Sequence, residues 1–496
     1  MLELVVFTSG GVLLALEIVA SRVLAPTFGN SIYVWGSLIG VFLTALSVGY
    51  WVGGRLADRY PNREVFCGLV FLAGLLTVPI PAVAPGLLSA LVTADLGARA
   101  GPLVAAFVLF FPASVVMGTI SPYAVRLSAR SVATVGGTAG RLYALSTLGS
   151  IAGCFAAAFW LVSVLGVRET ILTLGLVEMG LAVVALAGLR RVGAAAVASV
   201  VVLAAGAWTP RLVPPDGPEV TYAKDTVYHR ITVSDEGGVR YLKLDNYWQS
   251  AMDLQQPRRT VFRYADYMHV GMLFQPRPQR VLVIGMGGGT VPKRYLEDYR
   301  DVRVDVVDID PEVVEVAYRF FQVPRDGRLR AFAQDGRQFV RRTEERYDHI
   351  LMDAYLRDTL PFHLATREFF REVQAKLRPG GVFVANVIGA LDGPYSRLFR
   401  AVYRTLREVY PGVYVFPVDF GPGGWADALR NVIVVGTEQV WSADQVRAAS
   451  RAVQGRVRVP GFSAVVADLY TRPIPTEDVP TLTDNFAPTD ALIRLP

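Results

Sequence analysis

Upstream of residue 210 this chain is almost uninterrupted apolar sequence. Downstream it changes to charged helical stretches, short apolar runs and glycine-rich turns. The apolar runs of the first half are roughly 17–25 residues long, the length that crosses a hydrocarbon core. A chain built this way places one half in a bilayer and the other in water, and its function has to use both. With 52% hydrophobic and 19% charged residues, the 496-residue chain is more apolar and less charged than an ordinary soluble protein. Its net charge of +6 is dispersed, without a long Lys/Arg block, which fits arginine in short loops between spans and argues against a nucleic-acid partner. Both cysteines, Cys67 and Cys154, lie in apolar runs, so the soluble half has no disulfide framework.

Seven spans are expected, at 2–24, 31–53, 65–84, 102–122, 142–165, 169–189 and 192–208. The first lacks a basic leader and is too long for a cleavable signal. Breaks after the second, fourth and sixth runs carry Arg55, Arg59 and Arg63, then Arg126, Arg130 and Arg141, then Arg190 and Arg191; the opposite breaks carry little beyond Arg22, Arg99 and Arg168. The positive-inside rule puts the basic loops in the cytoplasm and predicts a multi-pass cell-membrane protein. Seven spans starting inside would deliver the soluble half outside, where nucleoside cosubstrates are scarce. If the short last run, Val192 to Trp208, fails to cross, that half stays cytoplasmic. The expectation leans to the cytoplasm and leaves the side open. Glu17, Arg22 and Glu178 fall within spans, where charge is costly and belongs in the bundle interior or a wet cavity. Glu17 is a candidate for lining an acceptor cavity. The stretch from Gly53 to Glu64, GGRLADRYPNRE, resembles the loop between the second and third helices of major-facilitator transporters, although only about half the helices of such a transporter are present.

The soluble half opens with YHRITVSD and VRYLKLDN, alternating runs separated by EGG, which predict a small antiparallel unit. A helical stretch from Thr260 to Phe274 follows. Next come strand 280–285, helix 291–299, strand 303–308, helix 312–320, strand 328–333, helix 336–343, strand 348–353, helix 366–377 and strand 381–387. That alternation predicts an α/β, Rossmann-like domain with its ligand beyond the carboxyl ends of the strands. The expected organisation is a transmembrane bundle over 1–210, a linker at 211–218, a small β subdomain at 219–275 and the Rossmann-like domain over 276–496.

The strand ends carry the chemistry. In RVLVIGMGGGTVPK, Gly285, Gly287, Gly288 and Gly289 let the backbone turn and approach a ligand closely, with Thr290 placed to cap the next helix. Asp308 ends the second strand, where an acid grips ribose hydroxyls. Asp335 follows the third strand, placed to accept from an adenine amino group, and Asp353 ends the fourth.

These features resemble the spermidine synthase family, aminopropyltransferases on a methyltransferase-like fold, and in particular its membrane-fused branch. The matching pieces are YHRITV, LDNYWQ, VLVIGMGGG, VDIDPEVVEVA, QDGRQFV, MDAY, TREFF and LTDNFAPTD. The resemblance implies decarboxylated S-adenosylmethionine or S-adenosylmethionine as cosubstrate, held by Gln249, the Gly285–Gly289 loop, Asp308, Asp335 and Gly336. Asp353 would be the central acid and Tyr355 its helper, with His363 and His269 as further candidates. No metal is called for, and a homodimer is allowed. The family's usual GGGDGG has its Asp at the position of Gly288; its D-x-x-D has Leu356 at the second acid, with Asp358 nearby; and a further acid falls at Phe362 or His363. An unpaired buried ammonium is expensive, so these losses argue against a free diamine acceptor and for a membrane-associated one. Two alternatives stand beside this reading. One is an S-adenosylmethionine methyltransferase on a lipid-linked acceptor, with Lys293 or Arg294 meeting the cosubstrate carboxylate. The other is a half-transporter with a nucleoside-sensing domain.

Overall fold

The computed structural model describes residues 1–28, 32–94, 96–129, 131–189, 191, 193–202, 217–245, 247–355, 360–421 and 423–492. Arg130, Arg190, Asn246, Leu356, Arg357, Asp358, Trp208 and most of the 211–218 linker lie outside them. The chain forms two compact units, residues 1–217 with 224–230, and residues 218–223 with 231–496.

The first unit is helical: α1 (Leu2–Phe28), α2 (Ile32–Arg59), α3 (Arg63–Thr77), α4 (Ile80–Thr93), α5 (Gly97–Ser128), α6 (Val135–Ala156), a π-helical turn (Ala157–Leu161), α7 (Val162–Leu165) and α8 (Val167–Gly188). A shorter apolar helix, α9, covers Gly193–Val202. Among the described residues, five helices are long and apolar enough to cross a membrane, and α3 with α4, bent by 49°, brings the number to six where the pair is counted as one span. The third expected span is therefore broken, at Val78 and Pro79, and runs on to Thr93. Pro79 and Pro81 cannot donate backbone hydrogen bonds, and the ladder gives way there. Small residues set the crossings. A side chain on Gly149 or Gly153 of α6 would collide with the backbone of Phe7 or Gly11 in α1; Gly49 and Gly53 of α2 meet Val115 and Thr119 of α5 in the same way, and Gly74 of α3 meets Gly175 of α8. This pairing is unchanged if the first three spans exchange with the last three, the arrangement of an inverted repeat. The acid that the bundle buries completely is Glu178, which accepts the Ser9 hydroxyl at 3.1 Å, whereas Glu17 is half-buried.

The second unit carries a four-stranded antiparallel sheet in the order β1 (Val220–Asp225), β2 (Arg230–Glu236), β3 (Val239–Leu244), β4 (Tyr247–Asp253). Gly237 and Gly238, both at positive φ, close the β2–β3 hairpin. The helix expected over Thr260–Phe274 is shorter: one α-turn, α10 (Tyr264–Tyr267), tightens into a 3-10 segment, Met268–Leu273, wholly buried. Beyond it come β5 (Arg280–Ile284), α11 (Thr290–Asp298), β6 (Arg303–Asp308), α12 (Pro311–Phe320), β7 (Leu329–Ala333), α13 (Gly336–Arg342), β8 (Tyr347–Met352), α14 (Arg367–Gln374), β9 (Leu377–Gly389), α15 (Arg397–Arg407), β10 (Gly412–Pro417), β11 (Arg430–Thr437) and α16 (Ala443–Val453). The sheet has seven strands in the order β10-β11-β9-β8-β5-β6-β7, with β5 to β9 parallel and β11 antiparallel between β9 and β10. Central strands are covered on both faces and so read as continuous apolar runs. Val281 and Val283 of β5 face one core with Val304, Val306 and Leu351, while Leu282 and Ile284 face the other with Val307, Ile350 and Met352. The order reverses at β5, which opens a crevice at the carboxyl ends of β5 and β8.

Candidate active site

The loop after β5 is built on positive φ: Gly285 at 95°, Gly287 at 49° and Gly289 at 72°. A Cβ on Gly285 would strike the Asp353 carbonyl, so only glycine lets the β5 loop lie against the end of β8. The Met286 amide donates to Asp308 Oδ2 at 2.8 Å and the Asp310 amide to Oδ1 at 3.0 Å. Asp308 thus ties the loop to the end of β6. Thr290 is the first residue of α11 rather than its cap; the cap is left-handed Gly289.

Gly288 is closed in from the other side. Its amide donates to Ser250 Oγ at 2.8 Å, and a Cβ there would come within 2.8 Å of Ser250 Cβ and 3.0 Å of the Phe321 ring. Even alanine would press on both neighbours, so the acid of GGGDGG has no room in this loop. Gln249 is the extra residue of a β-bulge, because Leu242 pairs with Ser250 while Lys243 pairs with Trp248.

Asp335 caps α13, accepting the Gln338 amide at 2.8 Å on one oxygen, and meets His363 Nε2 at 3.0 Å on the other. The His363 bond holds its pKa below the usual carboxylate value, against the opposing effect of burial. Gly336 follows it, and a Cβ there would sit 2.5 Å from Ile284 Cγ2.

Asp353 lies just past β8. Asn386 Nδ2 donates to its Oδ1 at 2.9 Å and the Tyr264 hydroxyl bonds the carboxylate. Asn386 is in turn held by Asn431, whose Nδ2 donates to its Oδ1 at 3.0 Å. Burial raises the Asp353 pKa, and the two hydrogen bonds oppose that rise. Tyr355 is turned elsewhere: its hydroxyl donates to the Asn386 carbonyl at 2.7 Å and accepts from the Ile388 amide at 2.9 Å. The phenol on Asp353 is therefore Tyr264, and Tyr355 anchors β9. No spacing rule links Tyr264, Asn386 and Asp353, which come from α10, β9 and the loop after β8. For a base at Asp353, the role proposed below, protonation at low pH would silence it. Asn386→Leu removes a bond that lowers the pKa, so the acid limb of kcat/KM should move to higher pH, which a pH–rate profile reads directly.

Two histidine and two cation candidates have other partners. His269 is buried, stacks on Tyr295 with centroids 4.7 Å apart, and meets the Tyr299 hydroxyl at 2.9 Å; burial drives its pKa to about 3. It is a neutral core residue. His363 reaches Asp335 and not Asp353. Lys293 is buried with its ammonium on the Phe321 carbonyl at 3.0 Å and the Pro257 carbonyl at 3.3 Å, and Arg294 binds Asp298 at 2.9 Å. Neither is left for a cosubstrate carboxylate.

Three of the quoted motifs meet at Arg337. This buried guanidinium makes paired bonds to Glu372 (both 2.8 Å) and to Asp484 (2.7 and 2.8 Å), and donates to the His363 carbonyl at 3.1 Å. Thr366 caps α14 and also donates to Asp484 at 2.7 Å. QDGRQFV, TREFF and LTDNFAPTD therefore form one clamp behind Asp335. Breaking a buried pair from one side costs about 3–5 kcal/mol, and less where a partner is as exposed as Asp484, so Arg337→Ala should lose about 2–4 kcal/mol. Arg341, exposed and bonded to the same Glu372, should lose under about 1 kcal/mol on Arg341→Ala. Urea titration of the two variants, monitored on the second unit, measures the contrast.

A seven-stranded sheet of this order, with a glycine loop after its first strand and acids after the next three, defines a Rossmann-like domain with a ligand crevice at its strand ends. The Spermine/spermidine synthase domain matches residues 261–410. The polyamine aminopropyltransferase of Vibrio vulnificus is 31% identical over 244 residues, 48% of this chain and 77% of that protein, and that of Moorella thermoacetica is 31% identical over 240 residues, 46% and 82%. A probable spermidine synthase structure from Corynebacterium glutamicum is similar at 21% identity and a TM-score of 0.43, covering 57% of this chain and 100% of that one. The chain belongs to the spermidine synthase family and is a transferase of the aminopropyltransferase type.

Proposed function

We propose that the second unit moves an aminopropyl group from decarboxylated S-adenosylmethionine to an amine acceptor associated with the membrane in which the first unit is embedded. The observation that carries this is Asp353, held by Asn386 and Tyr264 at the strand end against the glycine loop. In the reaction the acceptor nitrogen attacks the propyl carbon attached to sulfur. The carbon–sulfur bond breaks with its electron pair moving to sulfur, which leaves methylthioadenosine as a neutral thioether. The acceptor's proton passes to Asp353, whose raised pKa suits a base better than an ordinary carboxylate. The rest of the catalysis is positioning two reactants and excluding water. Asp308 would hold the ribose, Asp335 and Gly336 the adenine, and Gln249 the methionine-derived end.

Decarboxylated cosubstrate is favoured over the intact form because Lys293 and Arg294, the cations nearest the loop in sequence, are committed to internal partners. A free diamine is disfavoured because Gly288 admits no acid and Phe362, 56% exposed, stands at an acidic position of the family pattern. The full-length protein in detergent, given decarboxylated S-adenosylmethionine, should form little spermidine from putrescine and more product from the amine-bearing fraction of a membrane lipid extract. Efficient spermidine formation would return it to ordinary polyamine synthesis. Product formed only with intact S-adenosylmethionine would make it a methyltransferase.

A further inference from the structure

We infer that Asn431 is a positioning residue for Asp353: by donating to Asn386 it fixes which end of that amide meets the acid, and so favours the proton-accepting form of Asp353. This role depends on Asp353 being the base, as proposed above, and every group involved belongs to the second unit.

Strand register brings the two amides together. In the antiparallel pairing of β9 with β11, Asn386 stands opposite Ile433 and Asn431 opposite Ile388. The two asparagines are therefore diagonal neighbours on one face of the sheet, within reach of each other's side chains. That face is apolar further along, at Val382, Val384, Ile433 and Val435, and turns polar where β9 ends. Asn386 is 2% exposed, so both ends of its amide have to find partners within the protein. Its Nδ2 donates to Asp353 Oδ1 at 2.9 Å, and its Oδ1 accepts from Asn431 Nδ2 at 3.0 Å.

An amide can turn end for end with almost no change in shape, so its partners decide which way it lies. With Asp353 ionised, both partners oppose the turn, because a carboxylate only accepts and Asn431 donates here. With Asp353 protonated, its O–H can donate to the oxygen of a turned amide. Only Asn431 then resists, since two N–H groups would meet. Asn431 thus withholds from the protonated acid a hydrogen bond that would stabilise it, and leaves the ionised acid its own. A hydrogen bond reserved for the charged form favours that form. In the proposed reaction this keeps Asp353 ready for the acceptor's proton and helps it shed that proton before the next turnover.

Among the described residues, the titratable groups that act on Asp353 are two phenols, Tyr264 from α10 and Tyr355 from the loop after β8. Burial and the neighbouring Asp353 hold both above their ordinary value, so neither loses its proton where Asp353 does.

The test uses the full-length protein in detergent, with Asn431→Leu, Asn386→Leu and the double variant. In the pH profile of kcat/KM, Asn431→Leu should move the acid limb to higher pH by about half to one pH unit, the size expected when a bond to the charged form is weakened. The double variant should match Asn386→Leu alone, because Asn431 acts through that amide. A purely structural Asn431 would instead lower turnover at every pH, leave the limb in place and give effects that add. A second measurement needs no substrate. The infrared carbonyl stretch of protonated Asp353 is the band absent from Asp353→Asn, and in Asn431→Leu it should persist to higher pH than in the parent. An unmoved limb and band, or shifts that add in the double variant, would overturn the inference. A parent without turnover on either donor would defeat the proposed reaction, and the infrared titration would still decide what Asn431 does to Asp353. Asn431→Ala removes the same donor with less bulk and carries the same prediction should the leucine variant not fold.

Discussion

Asp353→Asn should reduce turnover by about two to four orders of magnitude while leaving cosubstrate affinity nearly unchanged, as expected for a positioned base. Asparagine keeps the shape of the side chain and can still receive the Asn386 amide at the oxygen placed 2.9 Å away. It cannot take a proton. Single-turnover rates with saturating donor, alongside calorimetry with methylthioadenosine, separate the two effects. Equal loss of binding and turnover would make Asp353 a ligand-holding residue, and no loss would sink the mechanism. Tyr355→Phe supplies a contrast. Its hydroxyl bridges the Asn386 carbonyl and the Ile388 amide, so its removal should act mainly on the stability of β9. A turnover defect in Tyr264→Phe larger than in Tyr355→Phe would place the second catalytic phenol at Tyr264.

Asp308→Ala should weaken methylthioadenosine binding by several kcal/mol, since hydrogen bonds to a charged acceptor contribute about 1.5–3 kcal/mol each and two ribose hydroxyls are to be held. The same change frees the Met286 and Asp310 amides, so some of the loss would come from the loop itself. Asp308→Asn separates these terms, because one amide oxygen can still accept from the loop while the ribose loses its charged partner. Titration calorimetry on the parent and both variants reads the result. Unchanged affinity in Asp308→Ala would remove the ribose assignment.

Much of the second unit could be read locally. Strand and helix limits around the crevice agree to within a few residues for β5 to β8, because burial on both faces forces continuous apolar runs and the intervening helices repeat at their own period. The loop glycines were legible for a similarly local reason, since backbone at positive φ restricts the residue type by itself. The stretch from Thr260 to Phe274 was harder. Its apolar content suits a helix, but it is buried on every side, and the packing tightened it into a 3-10 segment.

What the sequence by itself determined was the division into an apolar and a polar half, the parallel sheet, and the acids at the strand ends, each set by the residue's own preferences or by periodicity along a few turns. The tertiary structure decided which groups those acids face. Tyr264 and Asn386 reach Asp353 from distant segments, Ser250 and Phe321 fill the space beside Gly288, and Arg337 draws three separate motifs together.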